Sequence, residues 1–339
     1  MLLDDAFTGA IRYATIKGPA QGAPAPGFFF MGMAMSASVT IRVPGSTANL
    51  GSGFDCVGIA VERAVRLAAR REASSTPVRI VRRGALAGLT VPPERDLLYL
   101  GFVRACRAAG SEPPPGVVLE VESDIPVSRG LGSSAAAVVA GALAARALCG
   151  LNLDDDALTA LCGTVEGHAD NVAPSMRGGA VLVLSAPDGR LVFTSLEVHA
   201  SLVFTFAVPD FPLSTERARS VLPATLPYRT AVTAAARSAA LVQGLARGDA
   251  GLLALGLDDV LHVPYRRALL RGYDDVTGAA KAAGAYGATL SGSGSTLVAV
   301  GPAATAPAVE AAMAQAWRGR GVKVDTFRMA RPASGYEVV

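Results

Sequence analysis

Between Pro126 and Cys149 the chain reads PVSRGLGSSAAAVVAGALAARALC, a turn dense in glycine and serine that runs directly into small apolar residues. Glycines let a backbone turn its N–H groups toward one point. A helix opening behind them leaves its first N–H groups unpaired and aims its positive dipole end the same way. Together these make an anion site, and the hydroxyls of Ser133 and Ser134 add short oxygen ligands suited to phosphate or Mg²⁺. A plain N-cap ahead of a buried helix would explain one such turn. It explains less well a chain with two more loops of this kind, STANLGSGFDCVG from Ser46 and SGSGS from Ser291.

Further reactive side chains gather in short segments. The Ser46 loop holds Asn49 and one isolated acid, Asp55. Its Gly51-x-Gly53 is no dinucleotide fingerprint, because Cys56 stands where the third glycine belongs. In EGHADNVAP, Glu166 is a candidate Mg²⁺ ligand, and His168 and Asn171 are candidates to hydrogen-bond a substrate hydroxyl; alone, EGHADN is a polar helix C-cap more often than a site. Thr215 and Arg219 stand one turn apart on a helix that Ser214 or Thr215 caps. Arg266 follows Pro264 in the first turn of another. Other phosphate-handling motifs are excluded. The three lysines, Lys17, Lys281 and Lys323, do not follow glycines, so there is no Walker A loop, and the protein-kinase HRD and DFG triplets are absent.

The elements that must position these groups can be read from periodicity. SVTIRVPGS (38–46) alternates as a strand that Pro44-Gly45 breaks. Strands follow at 61–73, 78–81 and 117–121, with an amphipathic helix over 96–109 between the last two. The helix from Ser134 to Leu148 is apolar all round and should be covered on both sides. Asp154 to Glu166 is a helix opened by three aspartates, and a hairpin turns at Pro187-Asp188-Gly189. From Leu202 a buried strand starts a second region, which ends with a strand after Ser295, a helix over 303–318 and a strand over 322–328. This alternation suits an α+β or split βαβ sandwich.

Composition bounds the class. A chain of 339 residues with 51% hydrophobic and 17% charged residues is globular and long enough for two domains. A net charge of +3 and no basic stripe give no case for nucleic acid. Cys56, Cys106, Cys149 and Cys162 form no CxxC pair, so neither a zinc site nor a disulfide framework is indicated. Residues 1–36 read as a disordered tail or as a misassigned start, with translation beginning near Met33 or Met35, and a cleaved secretion signal as the runner-up: they are Pro/Gly/Ala-rich, with an apolar run far shorter than the ~20 residues of a membrane span.

PGSTANLGSGFD, PVSRGLGSSAAA and GATLSGSGS resemble the three signature motifs of the GHMP small-molecule kinases. EGHADNVAP, STERARSVLP and DDVLHVPYR are similar to what distinguishes the homoserine kinase family within that superfamily. The resemblance runs from about Val39 to the C-terminus, with the motifs in order. It implies a two-domain α+β fold, with an N-terminal ATP-binding domain over 37–198 like the second domain of ribosomal protein S5, a ferredoxin-like domain over 199–339, and a cleft between them. It implies cytoplasmic phosphorylation of L-homoserine by ATP with Mg²⁺, in threonine biosynthesis, without nucleic acid or membrane, and leaves a homodimer open.

The same resemblance implies roles. Pro126, Val127, Ser128, Arg129, Gly130, Leu131, Gly132, Ser133, Ser134, Ala135 and Ala136 would wrap the nucleotide phosphates. Ser134 and Glu166 would hold Mg²⁺, with Ser133 not separable from Ser134. Asp55 would pair with the substrate ammonium, and Arg219 and Arg266 with its carboxylate. Asn49, His168, Asn171 and Thr215 would surround the amino acid, Asn171 nearest the attacking hydroxyl, and Gly292 would close the site. No strong base stands at Asn171. Three positions depart from the family: Asp96 replaces an asparagine that meets the adenine, Arg271 replaces a proline, and SGSGS replaces SGAGP. The alternatives are a GHMP kinase for a mevalonate-like or sugar alcohol, and a non-catalytic binding protein.

Overall fold

The computed structural model describes residues 38–339; the expected tail lies outside the described residues. The chain opens with β1 (Ser38–Asn49), β2 (Gly53–Arg71), β3 (Val78–Gly84), α1 (Leu97–Ala108), β4 (Val117–Ser123) and α2 (Ser133–Cys149). It continues through α3 (Asp155–Glu166), α4 (Ala169–Arg177), β5 (Ala180–Ser185) and β6 (Leu191–Leu196). The second half holds β7 (Leu202–Pro209), α5 (Thr215–Ser220), α6 (Tyr228–Arg247), α7 (Ala250–Gly256) and α8 (Val263–Arg266). It closes with α9 (Tyr273–Ala282), β8 (Gly287–Leu290), β9 (Leu297–Pro302), α10 (Ala306–Gly319), β10 (Val324–Met329) and β11 (Glu337–Val338).

The first sheet runs β11-β1-β2-β4-β3, all antiparallel except the parallel β3–β4 pair. Long β2 gives its second edge to two partners, β4 along Val65–Arg71 and β5 along Val57–Ile59. The second sheet is antiparallel, β10-β7-β9-β8, with α9 and α10 packed on it. Residues of both sheets share one apolar core, in which Ile41, Leu67 and Leu119 of the first sheet join Phe204 and Phe206 of the second. Among the described residues no helix is long and apolar enough to cross a membrane.

One expectation changes, and other elements form where the sequence reading gave none. Pro44-Gly45 does not end β1. The register shifts there and pairing resumes from Gly45 opposite Val61 to Asn49 opposite Gly53. A proline lacks the ladder donor but is tolerated at such an irregularity, so the polar Ser46 loop contracts to a tight turn at 50–52. Pro174 lies inside α4. A proline cannot donate to the carbonyl four residues back, and that carbonyl, on Asp170, lies against Gly58, where an added Cβ would stand 1.8 Å from it. Helices α6, α7 and α9 form in segments to which the sequence reading assigned no element.

Helix α2 behaves as its sequence requires. Nearly all its residues from Ala135 to Leu148 are buried, and it packs on α1, α3 and α4 as well as on β1 and β2. Its first turn therefore cannot shift without moving both the sheet and its helical cover.

Candidate active site

A cleft of about 320 Å³ opens where the loop before α2 meets the second half of the chain. Gly132 caps α2 in the left-handed region, φ +68°, and a Cβ there would stand 2.1 Å from Ser46 Oγ. Ser128 is also left-handed, φ +56°, a conformation costing a non-glycine residue on the order of 1–3 kcal/mol. The loop's carbonyls are held from outside: Ser128 accepts from Leu213 N (3.0 Å), Arg129 from Thr296 N (3.1 Å) and Leu131 from Ser46 N (3.1 Å). Gly130 O accepts from Ser291 Oγ at 2.6 Å. With the carbonyls so engaged, the unpaired N–H groups of the first turn of α2 are the loop's donors for an anion.

Val127 to Ser134 line this cleft. Three neighbours expected with them do not. Pro126 opens onto a separate recess beside Arg63 and Lys323. Ala135 and Ala136 are fully buried, since they lie on the sides of α2 that other elements cover, while Ser133, Ser134 and Ala137 share the side that faces the cleft. The Arg129 guanidinium is also committed elsewhere. It donates to Val127 O (3.0 Å), Pro209 O (3.0 Å) and Asp210 O (2.8 Å), bracing the loop against the end of β7.

Beside the loop, Ser134 Oγ donates to Glu166 Oε1 at 2.5 Å. Glu166 ends α3, and burial pushes its carboxyl up to about 7, against the pull of the Ser134 bond. Ser46 Oγ donates to Asn171 Oδ1 (3.1 Å), and Asn171 Nδ2 donates to Asp170 Oδ1 (3.4 Å). Asp170 also lines the cleft, and its carboxyl is likewise raised to about 7, chiefly by burial and then by Asp55. Sequence reading placed Asp170 in the polar cluster without giving it a role.

The far end of the cleft is ionic. Arg219 makes a fork-to-fork pair with Asp55, Nη2–Oδ1 2.7 Å and Nη1–Oδ2 3.2 Å, while its Nε donates to His168 Nε2 at 2.7 Å. His168 is held below its ordinary range by burial and by Arg219, as an imidazole that accepts this bond must be. Arg266 is buried, with Nε on Ala218 O (3.0 Å) and Nη1 on His262 Nδ1 (3.2 Å). Among the described residues it has no ion-pair partner. Burial, then the neighbouring Arg219, pull it down to about 10. Phe54 underlies both guanidiniums, 5.1 Å from Arg266 and 5.7 Å from Arg219, and stacks on His262.

Asn49 and Gly292 join the halves. Asn49 Nδ2 donates to Gly292 O (2.8 Å), its Oδ1 accepts from Asp55 N (3.0 Å), and Gly292 N donates to Ala48 O (2.9 Å). Both ends of the Asn49 amide therefore hold backbone, and the residue braces the site. Asp55 sits at φ +58° behind this brace. Thr215, first in α5, meets Ser293 across the mouth at 3.3 Å.

At the other end lies an apolar slot lined by Leu86, Leu89, Val91, Val121 and Val127. Asp96 stands at its wall, where Oδ1 caps α1 through Leu98 N (2.9 Å) and Tyr99 N (3.3 Å), and Oδ2 pairs with Arg82. The departure at Asp96 is thus matched by an arginine from β3. Nothing local marks Arg82, one of several arginines on that strand; only the sheet register brings it to Asp96.

The GHMP kinase N-terminal domain model matches residues 98–179, and the GHMP kinase C-terminal model residues 241–319. A homoserine kinase of Trichormus variabilis is 41% identical over 303 residues, covering 89% of this chain and 99% of that one. The crystal structure of a homoserine kinase from Cytophaga hutchinsonii superposes with a TM-score of 0.81 at 30% identity, over 92% of this chain and 100% of the other. Mevalonate kinase from L. major, at 18% identity and a TM-score of 0.62 over 87% of this chain and 96% of its own, shares the fold. Likeness of this degree along nearly the whole of its relatives, on a two-domain α+β kinase fold, places the chain in the homoserine kinase family of the GHMP kinases.

Proposed function

We propose that the protein transfers the terminal phosphoryl group of ATP to the side-chain hydroxyl of L-homoserine, giving O-phospho-L-homoserine in threonine biosynthesis in the cytoplasm. In this reading residues 37–198 carry the nucleotide and 199–339 complete the cleft. One observation supports the substrate above others: Arg266, buried without a carboxylate partner among the described residues, beside an Arg219–Asp55 pair. A buried cation calls for an anion. A zwitterion supplies a carboxylate for the arginines and an ammonium for Asp55.

Phosphoryl transfer depends on positioning and charge neutralisation more than on covalent help. The loop from Val127 to Gly132 and the first turn of α2 would hold the phosphates. The donor set at Ser134 and Glu166 fits Mg²⁺, since both are hard oxygen ligands beside the anion site. When bound, the ion would offset the phosphate charge. Asn171, oriented by Ser46 and Asp170, would fix the hydroxyl in line without serving as a base. Asn171→Ala should therefore lower kcat about 10–100-fold with substrate KM values little changed. A loss in the upper part of the ~10²–10⁴-fold range of a general base, with both substrates still bound, would count against a purely positioning Asn171; Asp170→Asn would then test the neighbouring carboxyl as the base.

The apolar slot would take the base, with the Arg82–Asp96 pair at its edge. Arg82→Met should raise the KM for ATP about tenfold, roughly one charged hydrogen bond, and leave the homoserine KM within twofold. Coupled ADP release with L-homoserine, L-threonine, mevalonate and galactose tests the whole reading. Preferred turnover of mevalonate or sugar would replace it with another small-molecule kinase. ATP binding with no turnover of any would favour a binding protein.

A further inference from the structure

Outside the cleft, two thiols face one another. Cys106 Sγ donates to Cys149 Sγ at 4.0 Å. Cys106 lies in the last turns of α1 and is fully buried, whereas Cys149 ends α2 and is partly open to solvent. The two helices lie backbone against backbone: a Cβ at Gly101 would meet Val138 O at 2.1 Å, and one at Gly141 would meet Leu98 O at 1.8 Å. Asp96 and Ser133, at their N-terminal ends, both line the cleft, so the helices run side by side and bring both cysteines to their far ends. At 1.5 Å per residue, the length of α2 sets the thiols roughly 24 Å from the phosphate loop.

We propose that Cys106 and Cys149 are a reversible oxidation site, closing under hydrogen peroxide or a small-molecule disulfide into a bond that staples α1 to α2. Cys149 is the attacking thiol. It is the more accessible, and its acidity is increased to about 7 by the Cys106 hydrogen bond and the nearby Arg71. Cys106, whose proton that bond retains, is the resolving thiol. With peroxide, the Cys149 thiolate takes one oxygen and releases hydroxide, forming a sulfenic acid. The Cys106 sulfur then attacks the Cys149 sulfur, and the oxygen leaves as water. Two thiols are oxidised and one peroxide is reduced to two waters. Because the bond closes a long loop of chain far from the cleft, it acts as a staple and leaves the site working.

The test uses the full chain, reduced and then exposed to stoichiometric hydrogen peroxide. Titratable thiols in denaturant should fall from the four present to two, the intact mass should drop by two hydrogens, and peptide mapping should join Cys106 to Cys149. The melting temperature should rise by about 5 °C and dithiothreitol should reverse it, with ADP release staying within twofold. Cys106→Ser should instead hold a sulfenic acid on Cys149 that dimedone captures, and Cys149→Ser should keep its three thiols. Four thiols surviving in the wild type, a bond to Cys56 or Cys162, or a fall in melting temperature would each overturn the proposal. Nucleotide and amino-acid kinetics play no part in the mass and thiol readouts, so a failure of the kinase reading would leave this test standing.

Discussion

Arg219→Met is expected to lower kcat/KM for L-homoserine by about 10²-fold, the cost of losing a charged hydrogen bond to the substrate carboxylate at a partly exposed site, while the KM for ATP stays within twofold. The sharper measurement uses analogues. In the described structure Arg219 and Asp55 satisfy each other at 2.7 Å, although each is assigned to opposite ends of the substrate. Entry of homoserine would exchange that pair for two new ones. An alcohol with only one charge would break the pair and leave one member uncompensated. Steady-state rates with 4-hydroxybutanoate, which lacks the ammonium, and 3-aminopropan-1-ol, which lacks the carboxylate, should both fall at least 10³-fold below homoserine in the wild type. The ranking should cross over in the variants: Asp55→Asn should narrow the gap for 4-hydroxybutanoate, and Arg219→Met for 3-aminopropan-1-ol. Equal losses for both analogues in all three proteins would refute the exchange.

Glu166→Gln is expected to cost about 10³-fold in kcat, in the range of losing one preorganised charge-stabilising group, and yet to make the unliganded protein more stable at pH 8. The sign follows from the raised carboxyl. Between about pH 4.5 and 7 the folded state holds a proton on Glu166 that the unfolded chain has released. Stability from this group is therefore full below 4.5 and is lost as pH rises through 7. The swing is on the order of 2–3 kcal/mol, with some discount for water reaching the cleft. Asp170 contributes in the same direction over a similar window. Thermal melts from pH 4.5 to 8 should show Glu166→Gln with the shallower decline, crossing above the wild type. Mg²⁺ with ADP should stabilise the wild type at pH 8 and stabilise the variant far less. A variant that melts below the wild type throughout would mean that Glu166 is no reservoir of unfavourable charge.

The local chemistry of this protein was open to reading in one dimension. A helix of alanine, valine and leucine behind a Gly-Ser turn has few other fates, and α2 with its loop formed as expected, as did the alternating strands. EGHADN, Asp55, Arg219 and Arg266 were recognisable by type and order, and all reached one cleft. Where local rules met a longer-range partner, the partner decided the outcome. Pairing with β2 carried β1 past Pro44-Gly45, and the space left by Gly58 let α4 run through Pro174. The turn composition around the phosphate loop could not show that Ala135 and Ala136 face inward or that Arg129 braces β7, because which side of a helix or loop meets solvent depends on what packs against it. Arg82 and the direct Asp55–Arg219 pair belong to the same class. Residue type fixes what a charge could do, but the partner a charge meets depends on distances across the fold, and Coulomb and desolvation energies are set by those distances rather than by spacing along the chain.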